Sequence, residues 1–241
     1  MKSKKMCKFI FVCYNDSYIT EMEWIFMGSQ LIFEIVLLVL AYLFGSIPFS
    51  IIFGKWFKGI DVRDHGSGNP GGTNSIRHLG RKVGFLIVFF DGLKGGLIVL
   101  LMRTGLIHVE YMPILAFGVI AAIGHVYSIF IGLRGGKAVA STMGLITGFN
   151  VIWAAIAVIT FFIVTKITKY VSVGSTSIPI IIIILSVIWQ VFDINLIPYF
   201  DQGKYFLFEL PFLIFIMLLI FWRHKENYKK ISKGIENKVT W

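Results

Sequence analysis

Apolar residues along this chain gather into long runs, separated by polar and glycine-rich segments. The runs cover about Leu31–Phe53, Val83–Met102, Tyr111–Leu133, Ala138–Thr165, Val171–Val191 and Tyr205–Trp222. Runs near 20 residues with few charges predict membrane-spanning helices. Pro48, Pro113 and Pro179 fall near run ends or inside runs, where membrane helices tolerate proline better than soluble ones. The pattern predicts an all-α, polytopic integral membrane protein.

Ala138–Thr165 is too long for one ordinary span and short for two. Gly148-Phe149-Asn150 in its middle suits a turn, and the charges decide between the readings. If the stretch crosses twice, with the segment after Pro48 inside, the inner loops carry Lys55, Lys58, Arg63, Arg77, Arg81, Lys82, Arg134, Lys137, Lys166 and Lys169. The tail adds Arg223, Lys225, Lys229, Lys230, Lys233 and Lys238, and only Arg103 and Lys204 fall outside. A single crossing divides the same cations evenly. Cytoplasmic loops are enriched in Lys and Arg, so the charges predict seven helices, including two short ones. Residues 1–27 are read as a dispensable extension, because Met27 immediately precedes the first run. Residues 28–241 form a single membrane-embedded domain on this reading.

Composition agrees. Hydrophobic residues make up 56% of the chain and charged residues only 15%, against about 25% charged in soluble domains. The net charge of +10 fits inner loops facing anionic lipid, and no recognition motif points to nucleic acid. Cys7 and Cys13, both in the first residues, support neither a disulfide framework nor a metal site.

The topology gathers three polar segments on one side. Asp61–Arg77 contains a literal G-x-G-x-x-G at Gly66, Gly68 and Gly71, but it follows a membrane run rather than a strand, so the dinucleotide reading fails. What remains is a turn exposing backbone N–H groups, with Thr73 or Asn74 placed to cap a short helix and Arg77 one turn along it. Glycine, asparagine, serine and arginine together suit oxyanion binding. The second segment, Arg134-Gly135-Gly136-Lys137, opens onto a helix N-terminus, where free N–H groups and the helix dipole favour phosphate. In the tail, helical spacing puts His224, Asn227 and Tyr228 on one face. Asp91 and Lys94, three residues apart within a span, read as a structural ion pair. His125 is either a packing histidine or a pocket group.

In order, GSIPFS, HGSGNPGGTNSIRHLG, DGLKGG, GHVYSIFIGLRGGKAVAS and RHKENYKKISKGIENK resemble the bacterial acyl-phosphate:glycerol-3-phosphate acyltransferases, the PlsY family, from about Ala41 to Lys238. The resemblance implies a seven-helix enzyme of the bacterial cell membrane with its active site facing the cytosol. It implies transfer of a fatty acyl group from acyl phosphate to the 1-hydroxyl of glycerol 3-phosphate, without cofactor or metal. Lysophosphatidic acid and phosphate would be the products. Membrane lipid and the enzyme that makes the acyl phosphate are the implied partners.

By the same resemblance, Ser67, Arg77, His224 and Asn227 are the catalytic candidates. Gly66, Gly68, Asn69, Thr73, Asn74, Gly135, Gly136 and Lys137 would bind substrate phosphate, and Glu236 would hold the structure. Three positions depart from the family pattern. Gly72 replaces an alanine, Ser128 replaces a proline, and Ala138 replaces the last glycine of GGKG, where a Cβ is expected to crowd a phosphate contact. A membrane transporter for an organic phosphate is the rival reading. The lack of an internal repeat and the clustering of motifs at one surface count against it.

Overall fold

A computed structural model describes residues 21–192 and 206–239, and every regular element among them is helical. The first helix, α1 (Glu21–Ser46), stops where Pro48 withholds a backbone N–H and disfavours helical geometry in the residue before it. The chain resumes as α2 (Phe49–Lys58), which Gly59 ends in a left-handed conformation at φ 67°. The expected run Leu31–Phe53 is therefore two helices, since continuous apolarity carries no mark of the break. Ile51 and Phe53 of α2 are buried, whereas Trp56 and Phe57 are exposed and stacked on each other.

After a short helix α3 (Gly72–Leu79) come α4 (Arg81–Arg103) and α5 (Ile114–Val126). The ambiguous stretch divides at the anticipated turn into α6 (Val139–Phe149) and α7 (Val151–Thr168). Asn150 makes that division, its side chain accepting from the N–H groups of Ile152 (3.0 Å) and Trp153 (3.1 Å). Only α6 is short. The other half runs past Thr165 to 18 residues, because Lys166 and Thr168 can end a span at the interface. The rest is α8 (Val171–Val191), α9 (Phe206–Arg223) and α10 (Lys225–Ser232). Among the described residues, five segments are long and apolar enough to cross a membrane: 26–58, 81–103, 114–131, 151–168 and 171–191. Lys204 lies outside the described residues.

Lipid offers no hydrophobic drive to bring apolar helices together, so close backbone approach does the work. Gly92 and Gly96 of α4 lie against Gly144 and Gly148 of α6: a Cβ on Gly144 would stand 1.8 Å from the Gly92 carbonyl oxygen. Gly45 of α1 lies equally close to Ala121 of α5, and Gly124 of α5 to Tyr42 of α1. Opposite the polar motifs, the fully buried Glu34 carboxylate accepts from the N–H groups of Glu110 (2.6 Å), Tyr111 (3.1 Å) and Met112 (2.9 Å). That ties α1 to the chain entering α5.

Candidate active site

At the other end of the bundle, the segment between α2 and α3 folds into a tight turn. Gly66 and Gly68 take left-handed φ values of 59° and 69°, which glycine adopts without cost. Asn74 organises the turn from below. Its side-chain N–H groups donate to the carbonyls of Val62 (2.8 Å) and His65 (3.0 Å), and its oxygen accepts from the Ser67 N–H (3.2 Å). The Asn69 N–H reaches the Ser67 hydroxyl at 3.4 Å, and Ser50 of α2 donates to the Pro70 carbonyl at 3.1 Å.

Neither Thr73 nor Asn74 caps α3, contrary to the sequence expectation. Gly71 is the N-cap, and no side chain bonds the first N–H groups of the helix. The competing use of Asn74 is the turn itself, which occupies its donors and acceptor. Ser67, Thr73 and Arg77 are exposed, and Arg77 makes no hydrogen bond or ion pair with any described residue. The turn thus presents an unengaged guanidinium, a hydroxyl and open helix N–H groups to one surface.

The second segment joins the tail. Gly135 donates its N–H to the Val126 carbonyl (2.9 Å) and Gly136 to that of His125 (3.0 Å), so the loop folds back on α5. From the other side, the Arg223 guanidinium donates to the carbonyls of Gly136 (3.1 Å) and Gly135 (3.0 Å). Lys137 donates to the side-chain oxygen of Asn227, whose amide nitrogen donates to Glu236 (2.7 Å). Burial pushes the Lys137 ammonium down to about 8; Glu236 opposes the shift, and Arg223 and Lys230 add to it.

His224 is also buried. Burial pushes it down to about 4, with the Lys137 ammonium adding and the Ile220 carbonyl opposing. It is therefore neutral at pH 7. Its Nδ1 lies 2.8 Å from that carbonyl, which can only accept, so the ring proton sits on Nδ1 and Nε2 keeps a free lone pair. Tyr228 points inward as well, its hydroxyl 2.5 Å from that of Thr176 on α8.

Ala138 itself holds φ at 62° as the N-cap of α6. Its methyl does not crowd the loop: it is fully buried among Ala122, Val126, Ile216, Leu219 and Ile220. The departure costs about 1 kcal/mol of backbone strain, which burial of the methyl offsets. Ser128, in place of proline, donates to the Ser46 carbonyl at 2.5 Å and fastens α5 to the end of α1.

The expected site residues thus fall into two clusters. Gly66, Ser67, Gly68, Asn69, Thr73, Asn74 and Arg77 belong to the first. Gly135, Gly136, Lys137, His224, Asn227 and Glu236 form the second. No hydrogen bond joins Ser67 or Arg77 to Lys137, but one apolar cluster joins the supports of both, with Val62 and Leu79 beneath the first turn and Ile131 leading into the second loop. Between them α4 carries the expected ion pair: Lys94 Nζ lies 2.7 Å from Asp91 Oδ1, both side chains almost fully buried. Arg223 and Glu34 were not anticipated. A lone arginine at a span end reads as an interfacial charge, and only the fold reveals the carbonyls it serves.

Known proteins resemble this chain over most of its length. The sequence model of the glycerol-3-phosphate acyltransferase family matches residues 35–234. A glycerol-3-phosphate acyltransferase of Acholeplasma laidlawii is 38% identical over 227 residues, covering 88% of this chain and 96% of the relative. One from Staphylococcus aureus (strain Newman) is 40% identical over 214 residues, covering 86% and 98%. Among solved structures, PlsY, an integral membrane glycerol 3-phosphate acyltransferase, matches in its glycerol 3-phosphate form with a TM-score of 0.74 at 30% identity, over 88% of this chain and 96% of that one. Its lysophosphatidic acid form matches with a TM-score of 0.73. This chain is an integral membrane protein of the glycerol-3-phosphate acyltransferase family, of the PlsY type.

Proposed function

We propose that this chain moves a fatty acyl group from acyl phosphate to the 1-hydroxyl of glycerol 3-phosphate, giving lysophosphatidic acid and phosphate, the first step of phospholipid synthesis. The observation that carries the reading is the second cluster. A partly desolvated ammonium, Lys137, stands at a glycine turn next to a neutral histidine with a free lone pair. That pairing suits an anionic substrate bearing a hydroxyl nucleophile.

Arg77 and the turn at Ser67 hold one phosphoryl group, and Lys137 with the Gly135-Gly136 turn holds the other. The substrate hydroxyl oxygen attacks the acyl carbonyl carbon. The ester C–O bond forms as the C–O bond to phosphate breaks, and the electron pair leaves with phosphate. His224 Nε2 accepts a hydrogen bond from the hydroxyl and orients it, while Asn227 holds Lys137. The proton goes to the departing phosphate oxygen, which gains the electron pair of the broken C–O bond and is far more basic than His224, held at about 4 by burial; phosphate is released as the hydrogen phosphate dianion. No metal or organic cofactor enters the reaction. The acyl chain lies in lipid between helices.

The helices α1, α4, α5, α6, α7, α8 and α9 make seven crossings of the bacterial cell membrane. The distribution of Lys and Arg supports placing both clusters in the cytosol. Residues 1–27 are dispensable, and contact with the enzyme that produces acyl phosphate would spare that reactive donor from water.

The test is transfer by the purified chain in detergent, with palmitoyl phosphate or palmitoyl-coenzyme A as donor and glycerol 3-phosphate as acceptor. Lysophosphatidic acid and phosphate are expected from the acyl phosphate alone, with loss of both in Ser67→Ala and Arg77→Ala. No product from folded protein, or product only from the thioester, would overturn the reading.

A further inference from the structure

His125 occupies the last turn of α5 at 7% exposure, directly under the glycine loop. Its Nδ1 faces two groups of α4. Lys94 Nζ lies 3.4 Å away and Asp91 Oδ1 3.6 Å, and these two are themselves paired at 2.7 Å. Nδ1 thus lies beside both an ammonium that can donate to it and a carboxylate that can accept from it, and the pair fixes the position of the ring. Lys94 is also placed 5.0 Å from the Phe49 ring centroid, at the start of α2.

The other edge of the ring lies where a side chain at position 136 would begin. A Cβ on Gly136 would stand 2.1 Å from His125 Nε2, 2.9 Å from Cε1 and 3.0 Å from Cδ2. One residue earlier, a Cβ on Gly135 would stand 2.0 Å from the His125 carbonyl oxygen. That same carbonyl accepts the Gly136 N–H. The loop is thus held between His125 below and the Arg223 guanidinium, leaving Lys137 to project toward Asn227.

We propose that His125 is a positioning residue for the glycerol 3-phosphate loop: its imidazole, oriented by Lys94 and Asp91, sets where Gly135, Gly136 and Lys137 stand to receive the substrate phosphate. This rests on the function proposed above. The two glycines are required because the imidazole and its carbonyl already fill the space beside them. Removing the ring leaves the Asp91–Lys94 pair intact but takes away the floor of the loop. The acceptor substrate therefore suffers, while the acyl donor and the chemical step are largely spared.

Steady-state transfer by the full chain, with glycerol 3-phosphate varied at saturating palmitoyl phosphate, tests this. For His125→Ala, KM for glycerol 3-phosphate rises about tenfold or more, as expected for a phosphate contact displaced by about an ångström. The KM for palmitoyl phosphate stays within about twofold, and kcat falls less than about threefold. His125→Gln, whose amide N–H reaches to about the place of Nε2, restores the acceptor KM to within about threefold, whereas the shorter His125→Asn does not. If the alanine variant does not fold, the Gln-against-Asn comparison decides alone. An unchanged acceptor KM in His125→Ala, or equal impairment of Gln and Asn, overturns the assignment while leaving the function intact. A folded wild-type chain that transfers nothing overturns both.

Discussion

Gly72 stands where the family pattern has alanine, and restoring that alanine should destabilise this chain. A Cβ at Gly72 would lie 2.3 Å from Cγ2 of Val88 on α4, with the next heavy atom at 3.7 Å. Normal carbon contact is about 3.5–4 Å, so α3 or the valine must shift by more than an ångström. Val88 cannot swing aside cheaply, because a β-branched side chain in a helix has one strongly preferred rotamer. Overpacking of this kind costs about 1–3 kcal/mol. Against it stands a gain of up to about 1 kcal/mol from replacing a helical glycine by alanine. A net loss of about 1 kcal/mol is expected for Gly72→Ala. Because α3 carries Asn74, which holds the first turn, transfer activity falls with it. Val88→Ala alone costs about 1 kcal/mol through lost packing. In the double variant the new methyl enters the space vacated, so the double is more stable than the sum of the singles by about 1–2 kcal/mol. Thermal unfolding of the four proteins in one detergent, with transfer rates beside it, reads this coupling. Additivity within about 0.5 kcal/mol, or a Gly72→Ala variant as stable as the parent, would refute the account.

Two further outcomes are expected. On the proposed function Lys137 binds phosphate as an ammonium, and that form is lost as pH rises through about 8; the acceptor KM is therefore lowest near pH 7 and climbs by up to about tenfold per unit at higher pH. Glycerol 3-phosphate is already a dianion in that range, and Lys137→Arg, whose charge persists, should flatten the profile. Gly144→Ala drives a methyl to 1.8 Å from backbone of α4, where no rotamer can yield, so it should cost more stability than Gly72→Ala in the same unfolding assay; equal midpoints would show that α4 and α6 do not pack in this way.

Much of the fold is legible in the chain because lipid imposes a simple rule: runs of apolar residues span, and cations gather on one side. The turn at Asn150 could be read because a side-chain cap and a run too long for one span coincide. The break at Pro48 could not, since apolarity is unchanged across it and proline is tolerated within membrane helices. Nor could the partnership of α4 with α6. Small residues at 92 and 96, and at 144 and 148, are visible in the sequence, but their spacing does not say which stripe meets which. Within the site, the residue types were readable and some of their work was not. Asn74 looked like a ligand or a cap and is committed to shaping the turn. Arg223 lies far from the loop in sequence, and local pattern carries no information about such a contact; His125 stands only ten residues before Gly135, yet its spacing does not separate a packing histidine from a pocket group.

The charge arrangement around Lys137 shows why an amide stands between it and Glu236. A carboxylate touching the ammonium directly would compete with a substrate phosphate for the same donors. Asn227 accepts from Lys137 through its oxygen and donates to Glu236 through its nitrogen, so each end of the amide is specified by its neighbour. Lys137 is thereby fixed in place while its positive charge stays unneutralised by direct contact. Burial and the nearby cations Arg223 and Lys230 then raise the cost of holding that charge. An incoming dianion relieves this cost. On the proposed function, the free site is destabilised electrostatically in the one respect that a phosphate-bearing substrate corrects, and binding energy can be drawn from that relief without a preformed ion pair having to be broken.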